Sequence, residues 1–211
     1  MSESTALVRS RFQSVDQLFV RQQRKWFEVL FSAELKNAYE VLDEAGQPAF
    51  DFRETGAGAK EFLYRMLLGP TRPFTMSLVA ADGEEVLRLD RPWKFMFHEL
   101  TITDGDDNRI GRIVREWSWV RRIYAIEDAS GRVIARFFGA FFRPWTFEVQ
   151  SPEGAVLGAV KKKWSGLGRE MFSDADNYSV DLHGISDPNL KALVVAGVAL
   201  IDIVHFERRK Q

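Results

Sequence analysis

The residues best suited to chemistry lie late in the chain, where Asp174-Ala175-Asp176-Asn177 and Asp181 gather three carboxylates and an amide within eight positions. Hard oxygen groups of this kind are what calcium binds. The run is not an EF-hand loop: with Asp174 in first place, Ser179 falls where glycine makes the sharp turn and Ile185 where the bidentate glutamate belongs. A turn held by Asp and Asn side chains is the plainer explanation. Asp174, Asp176, Asn177 and Asp181 offer at most four side-chain groups, whereas calcium takes about 6 to 8 oxygens, so any calcium affinity is expected to be weak.

Cations and aromatic rings supply a second chemistry. Arg112, Arg115, Arg121 and Arg122, with the run Lys161-Lys162-Lys163 beside Trp164, form the candidate patch for phosphate head groups, against the commoner reading of solvated strand surface. The stretch Phe137-Phe138-Gly139-Ala140-Phe141-Phe142-Arg143-Pro144-Trp145, with Trp117 and Trp119, has the composition of a membrane interface or of a barrel wall packed on a helix. Alternate residues of a strand point to opposite faces, so a continuous aromatic run cannot all face inward unless a bulge or turn intervenes, and part of it is expected at the surface.

Other chemistries fit poorly. Gly56-Ala57-Gly58 follows a strand pattern and precedes a helical one, but Glu61 occupies the third glycine position of a dinucleotide loop, and a hairpin follows where a parallel strand is needed. His98, His183 and His205 are scattered without metal-ligand spacing and read as structural. Asp174 and Asp176 lie too close along the chain for an opposed acid and base around a substrate, so no enzyme activity is expected. The formal net charge of -1 gives no global field for nucleic acid, and no nucleic-acid-binding motif is present. The chain has no cysteine, hence no disulfide, thiolate metal site or palmitoyl attachment point, and a reducing cytoplasmic setting is expected.

The elements that must position these residues are largely strands. A hairpin recurs five times: Tyr39 to Phe52 around Ala45-Gly46, Met76 to Leu89 around Asp82-Gly83, Leu100 to Val114 around Asp104-Gly105, Tyr124 to Phe138 around Ser130-Gly131, and Phe147 to Lys161 around Glu153-Gly154. Each turn glycine is expected to supply the positive φ that a tight hairpin requires. An opening strand near Leu18 to Val20 and another from Tyr178 to Leu182 bring the total to about a dozen, which favours closure into an antiparallel barrel over an open sheet.

Two segments carry helical spacing. Ala59 to Leu68 reads as a short connecting helix before Gly69 and Pro70. The second begins at Asp187, an N-cap with Pro188 in the first helical position, and runs to Phe206. Its middle, with Leu193, Val194, Gly197, Val198 and Ile201, is apolar on every face, as in a helix surrounded by protein or by lipid. Ala192 to Phe206 spans only about 22 Å at roughly 1.5 Å per residue, short of the roughly 30 Å hydrocarbon core, so a buried core helix is expected. Residues 1–14 are polar, lack the apolar segment of a secretory signal and read as flexible, residues 15–207 as a single domain, and residues 208–211 as a basic tail.

The segment Trp164-Ser165-Gly166-Leu167-Gly168-Arg169-Glu170-Met171-Phe172-Ser173-Asp174-Ala175-Asp176-Asn177-Tyr178 resembles the most distinctive stretch of the phospholipid scramblase family. Asp16-Gln17-Leu18-Phe19-Val20-Arg21-Gln22, Arg72-Pro73-Phe74-Thr75, Leu89-Asp90-Arg91-Pro92 and Leu200-Ile201-Asp202 extend the resemblance over about residues 15 to 207. It implies a fold similar to tubby-like and LURP-one-related proteins: mainly β, a closed twelve-stranded barrel enclosing a hydrophobic C-terminal α-helix. The implied activity is calcium-stimulated, ATP-independent movement of phospholipid between leaflets, with phosphoinositide binding suggested by tubby-like relatives. The first proline is Pro48 and there is no cysteine cluster, so the lipid anchor and proline-rich tail of animal members are not implied here. The leading expectation is a non-catalytic protein that meets a phospholipid membrane surface, peripheral at the cytoplasmic face. The competing one is a cytosolic tubby-like scaffold without a membrane role.

Overall fold

The computed structural model describes residues 2–22, 37–54, 74–92, 99–143, 145–163 and 177–205. After helix α1 (Glu3–Phe12) come β1 (Gln17–Gln22), β2 (Asn37–Leu42), β3 (Pro48–Glu54), β4 (Phe74–Ala80), β5 (Glu85–Arg91) and β6 (Glu99–Thr103). They continue as β7 (Arg109–Glu116), β8 (Arg122–Asp128), β9 (Val133–Gly139), β10 (Thr146–Gln150), β11 (Val156–Lys163), β12 (Asn177–Asp181) and helix α2 (Pro188–His205). Each strand pairs antiparallel with its sequence neighbours, and β1 also pairs with β12, so the twelve strands close into a barrel. The expected connecting helix at Ala59 to Leu68 lies outside the described residues.

The five hairpins end in one recurring turn, in which the amide three residues on donates to the first residue's carbonyl: Gly46 to Asp43, Gly83 to Ala80, Asp107 to Asp104, Gly131 to Asp128 and Gly154 to Ser151. Gly46, Gly83, Gly131 and Gly154 sit at φ values from 75° to 93°, as a left-handed turn position requires. The third hairpin corrects the expectation for Gly105: the left-handed residue is Asp107, at φ 61°. Asp is among the few side chains that tolerate this region, which is why the glycine did not mark it.

Successive strands alternate in direction, so all five tight turns lie at one end of the barrel. The connections 117–121 and 140–145 lie at the other, together with the strand ends Gln22, Glu54, Arg91 and Lys163. We call these the turn end and the loop end. α2 enters at the turn end, where the Asp187 carboxylate accepts from the Asn189 amide at 3.0 Å. It rises along the barrel axis with Leu190 to Asp202 all buried. Among the described residues no helix is long and apolar enough to cross a membrane.

The polar stretch expected to be a flexible lead-in is instead helical and packed. Ser2 caps α1, its hydroxyl accepting from the Thr5 amide at 3.2 Å, and Val8 and Phe12, one turn apart, are buried, Phe12 stacking on Phe50 with 5.1 Å between ring centroids. Two apolar residues at i and i+4 are too few to stand out in a sequence, and polar contacts add to them in holding α1 on the turn end. Arg11 pairs with Asp82 and Glu84, and the buried Asp104 carboxylate accepts from Thr5 Oγ1 at 2.7 Å and from Asn108.

Burial opposes the charge on Asp104, but hydrogen bonds from Thr5, Asn108 and Asp106 outweigh it and hold its pKa below the ordinary carboxylate range. A depressed carboxylate stabilises above its unfolded pKa of about 3.9 and loses that contribution as pH falls through its folded value. The protection factors of the α1 amides, taken relative to intrinsic exchange at each pH, are therefore expected to fall before the barrel unfolds as pH drops below about 4, and Asp104→Ala is expected to produce the same loosening at neutral pH. Protection of α1 that is unaffected by both changes would show that Asp104 is not its tether.

Candidate functional site

The barrel interior is occupied by α2 itself. A Cβ added at Gly197 would come within 2.5 Å of the Phe137 ring, and one at Gly111 on β7 within 2.7 Å of Leu193. Large side chains of one layer thus meet glycines of the other, leaving no lumen along this face for a ligand. Leu193, Val194, Val198 and Ile201 are buried alongside.

Two charged residues of α2 are buried, each against the sense of the helix dipole: Lys191 in the first turns and Asp202 in the last. Specific partners compensate. Lys191 Nζ donates to the Val15 carbonyl at 2.6 Å and to Asp16 at 2.9 Å, and that hydrogen bond lowers the Asp16 pKa. At the loop end the Asp202 carboxylate accepts from the Tyr39 hydroxyl at 2.6 Å and from that of Tyr178. This trio joins β2, β12 and α2, and composition gave no pointer to it beyond one carboxylate in an apolar helix.

The proposed basic patch is divided by the barrel wall. Arg112 lies on the outer face, bound through Nε and Nη2 to Glu127 at 2.9 and 2.7 Å with Glu99 at 3.7 Å, so its charge is largely answered. Lys161 is exposed on the outer wall. Arg115 pairs in register with the inward-facing Tyr124 and belongs by alternation to the inner face near the loop end. Arg122 donates to the carbonyls of Ala140 and Arg143 at 3.3 and 3.2 Å and lies 4.6 Å from the Phe147 ring centroid. The Lys162 ammonium sits 5.6 Å from the Tyr178 ring centroid and 5.7 Å from that of Trp145. Arg121 is exposed in the 117–121 loop, its guanidinium 5.1 Å from the Phe138 ring centroid. The Lys163 side chain lies outside the described residues.

The calcium candidates do not assemble as one set. Asp174 and Asp176 lie outside the described residues. Asn177 and Asp181 stand at opposite ends of β12, about 13 Å apart at roughly 3.3 Å per residue, too far to share an ion. Asp181 faces His183 Nδ1 at 2.9 Å instead. That hydrogen bond raises the His183 pKa. At Asp181 burial pushes the pKa up, but the His183 contacts and the Lys161 charge prevail and lower it. Asn177 Oδ1 is buried without a hydrogen-bond partner among the described residues. No group of three or more potential metal ligands is found among those residues.

The aromatic run divides because β9 ends at Gly139: alternation separates Phe137 from Phe138 within the strand, and Phe141 and Phe142 fall in the connection that follows. Phe137 and Phe147 are buried, whereas Trp117, Trp119, Val120, Phe141 and Phe142 are 65% to 92% exposed. All five lie in the two loop-end connections.

A closed antiparallel barrel filled by its own C-terminal helix, with cations and aromatic rings gathered at one end, is the class of protein defined here. The chain matches the Scramblase family over residues 4–208 and belongs to that family. It is 29% identical over 209 residues to human phospholipid scramblase 2, covering 93% of this chain and 69% of that one. It is 28% identical to human phospholipid scramblase 1, with 92% and 64% covered. A phospholipid scramblase family protein of Schizosaccharomyces pombe is 28% identical, with 83% and 48% covered, so this chain spans between half and about two thirds of these relatives' lengths. Among solved structures, an Arabidopsis thaliana protein shares the fold at a TM-score of 0.53 and 14% identity, over 90% of this chain and 92% of that one.

Proposed function

We propose that this protein is a non-catalytic, scramblase-like lipid-interacting protein that works at the cytoplasmic face of a membrane, binding phospholipid head groups or assisting their passage between leaflets. Membership of the Scramblase family carries this reading. The packing of α2 supports contact from the outside: the Gly197 and Gly111 contacts leave no space for an acyl chain between α2 and the β7–β9 wall. The charged groups of α2 are engaged in hydrogen bonds to the barrel wall and to the segment before β1, which hold the helix in place.

Co-sedimentation with vesicles tests the reading. Binding to anionic vesicles is expected at low salt, weaker binding to neutral ones, and loss of the difference as screening increases. Absence of binding to every lipid at low salt would favour the soluble scaffold. Calcium is proposed as at most a weak ligand of Asp174, Asp176 and Asn177, with a dissociation constant of about 10⁻⁴ M or weaker. Addition of about 10⁻⁵ M calcium should therefore leave vesicle binding unchanged; a calcium requirement at that level, abolished by Asp176→Ala, would overturn this part.

A further inference from the structure

We propose that the loops joining β7 to β8 and β9 to β10 form a bilayer-docking tip that seats the loop end of the barrel in the head-group region of an anionic phospholipid membrane. This rests on the lipid-interacting reading and specifies where the contact is made and how the molecule is oriented.

The rings in these loops are paired with one another and have little of the protein behind them. Trp117 and Trp119 meet edge to face at 4.7 Å between centroids, and Phe141 and Phe142 at 5.6 Å. Trp119 and Phe142 remain 86% and 92% exposed. The loops act together because Arg122, at the start of β8, donates to the carbonyls of Ala140 and Arg143 in the second loop. Aromatic rings with arginine suit a layer that is apolar below and anionic above. The described loop residues, Trp117-Ser118-Trp119-Val120-Arg121 and Ala140-Phe141-Phe142-Arg143, contain two arginines and no carboxylate. Arg143 meets Glu148 at 3.4 Å yet keeps 69% of its side chain exposed.

The opposite end has the opposite charge. The five tight turns, 43–47, 81–84, 104–108, 128–132 and 151–155, carry nine carboxylates and one basic residue, Arg132, and remain acidic after Arg11 pairs with Asp82 and Glu84 and Arg88 with Asp107. A chain of net charge -1 is thus polarised, and an anionic surface attracts the loop end while repelling the turn end. Convex aromatic tips beside cations fit a fluid sheet, whose lipids rearrange around them, better than a protein partner, which would need matching cavities.

Because the chain has no cysteine, single cysteines can be introduced and labelled with an environment-sensitive dye. Val120→Cys reports the tip, and Ala129→Cys, exposed in the β8–β9 turn, reports the opposite end. With vesicles rich in phosphatidylserine, the label at 120 is expected to shift blue and to be quenched by lipid-chain quenchers, while that at 129 does not change. Trp119→Ser combined with Phe142→Ser should weaken vesicle binding by about tenfold or more, with unchanged circular dichroism and melting temperature. Vesicle binding with the label at 129 buried, or undiminished in the double variant, overturns the tip and leaves the lipid-interacting reading standing. No vesicle binding overturns both. A label at 120 already buried without lipid, in a dimer that the double variant dissolves, assigns the patch to a second copy of this chain and also overturns the proposal.

Discussion

Gly197→Leu is expected to destabilise the protein by about 1–3 kcal/mol or more, read as a fall in the midpoint of urea unfolding. Even the first carbon of a side chain there would overlap Phe137, at 2.5 Å, and press on Ile113 at 3.2 Å. The helix cannot move away, because Leu193 one turn earlier is held over Gly111, where a Cβ would meet the Glu127 carbonyl at 2.3 Å. Overpacking at one contact therefore strains the other. Gly197→Ala with Phe137→Leu should recover part of the loss of Gly197→Ala alone, because the second change vacates the volume the first requires. If both Gly197 variants unfold like the wild type, α2 is not enclosed as described, and a chain ending at Asp187 should then remain folded.

The second large effect is expected at the loop end of α2, where Tyr39→Phe combined with Tyr178→Phe should cost about 3–5 kcal/mol by stripping hydroxyl donors from a buried carboxylate. Asp202 is 1% exposed, and the two tyrosines are 3% and 1% exposed, so water cannot readily replace either bond. Asp202→Leu alone is also expected to destabilise, since it leaves two buried hydroxyls without this acceptor. Removing both sides together, in the triple variant Tyr39→Phe, Tyr178→Phe, Asp202→Leu, should restore much of the stability, because mutually matched apolar replacements leave these groups no desolvation penalty. Strictly additive losses across this cycle would show that the three groups do not act as one unit. Anchors at both ends fix how far α2 is inserted: Lys191 ties it to Val15 and Asp16 just before β1 at the turn end, and Asp202 to β2 and β12 at the loop end.

Much of the architecture was legible in the amino-acid order, because it depends on neighbours close in sequence. The hairpins announce themselves through alternating apolar residues and, in four of the five, a left-handed glycine, and α2 through Asp187-Pro188 and its uninterrupted apolar stretch. Strand parity also required that some of the Phe137 to Trp145 rings be exposed. Parity does not say which set faces inward or which end of a strand a residue occupies. Barrel closure decided that Phe137 is enclosed and Phe142 bare, and it brought the loop of Trp117 and Trp119 and that of Phe141 and Phe142 to the same end. Register brought Glu127 against Arg112 and so removed that cation from the candidate patch, and the extended form of β12 separated Asp181 from Asn177. Net charge, a sum without positions, concealed that the carboxylates of the five turns all lie at one end. The sequence by itself thus determined the strand hairpins and the helix that fills the barrel, through local propensity and burial, but not α1. Only the tertiary structure decided which charges are neutralised, which rings meet solvent and which end of the molecule carries them, because those depend on partners distant in the chain.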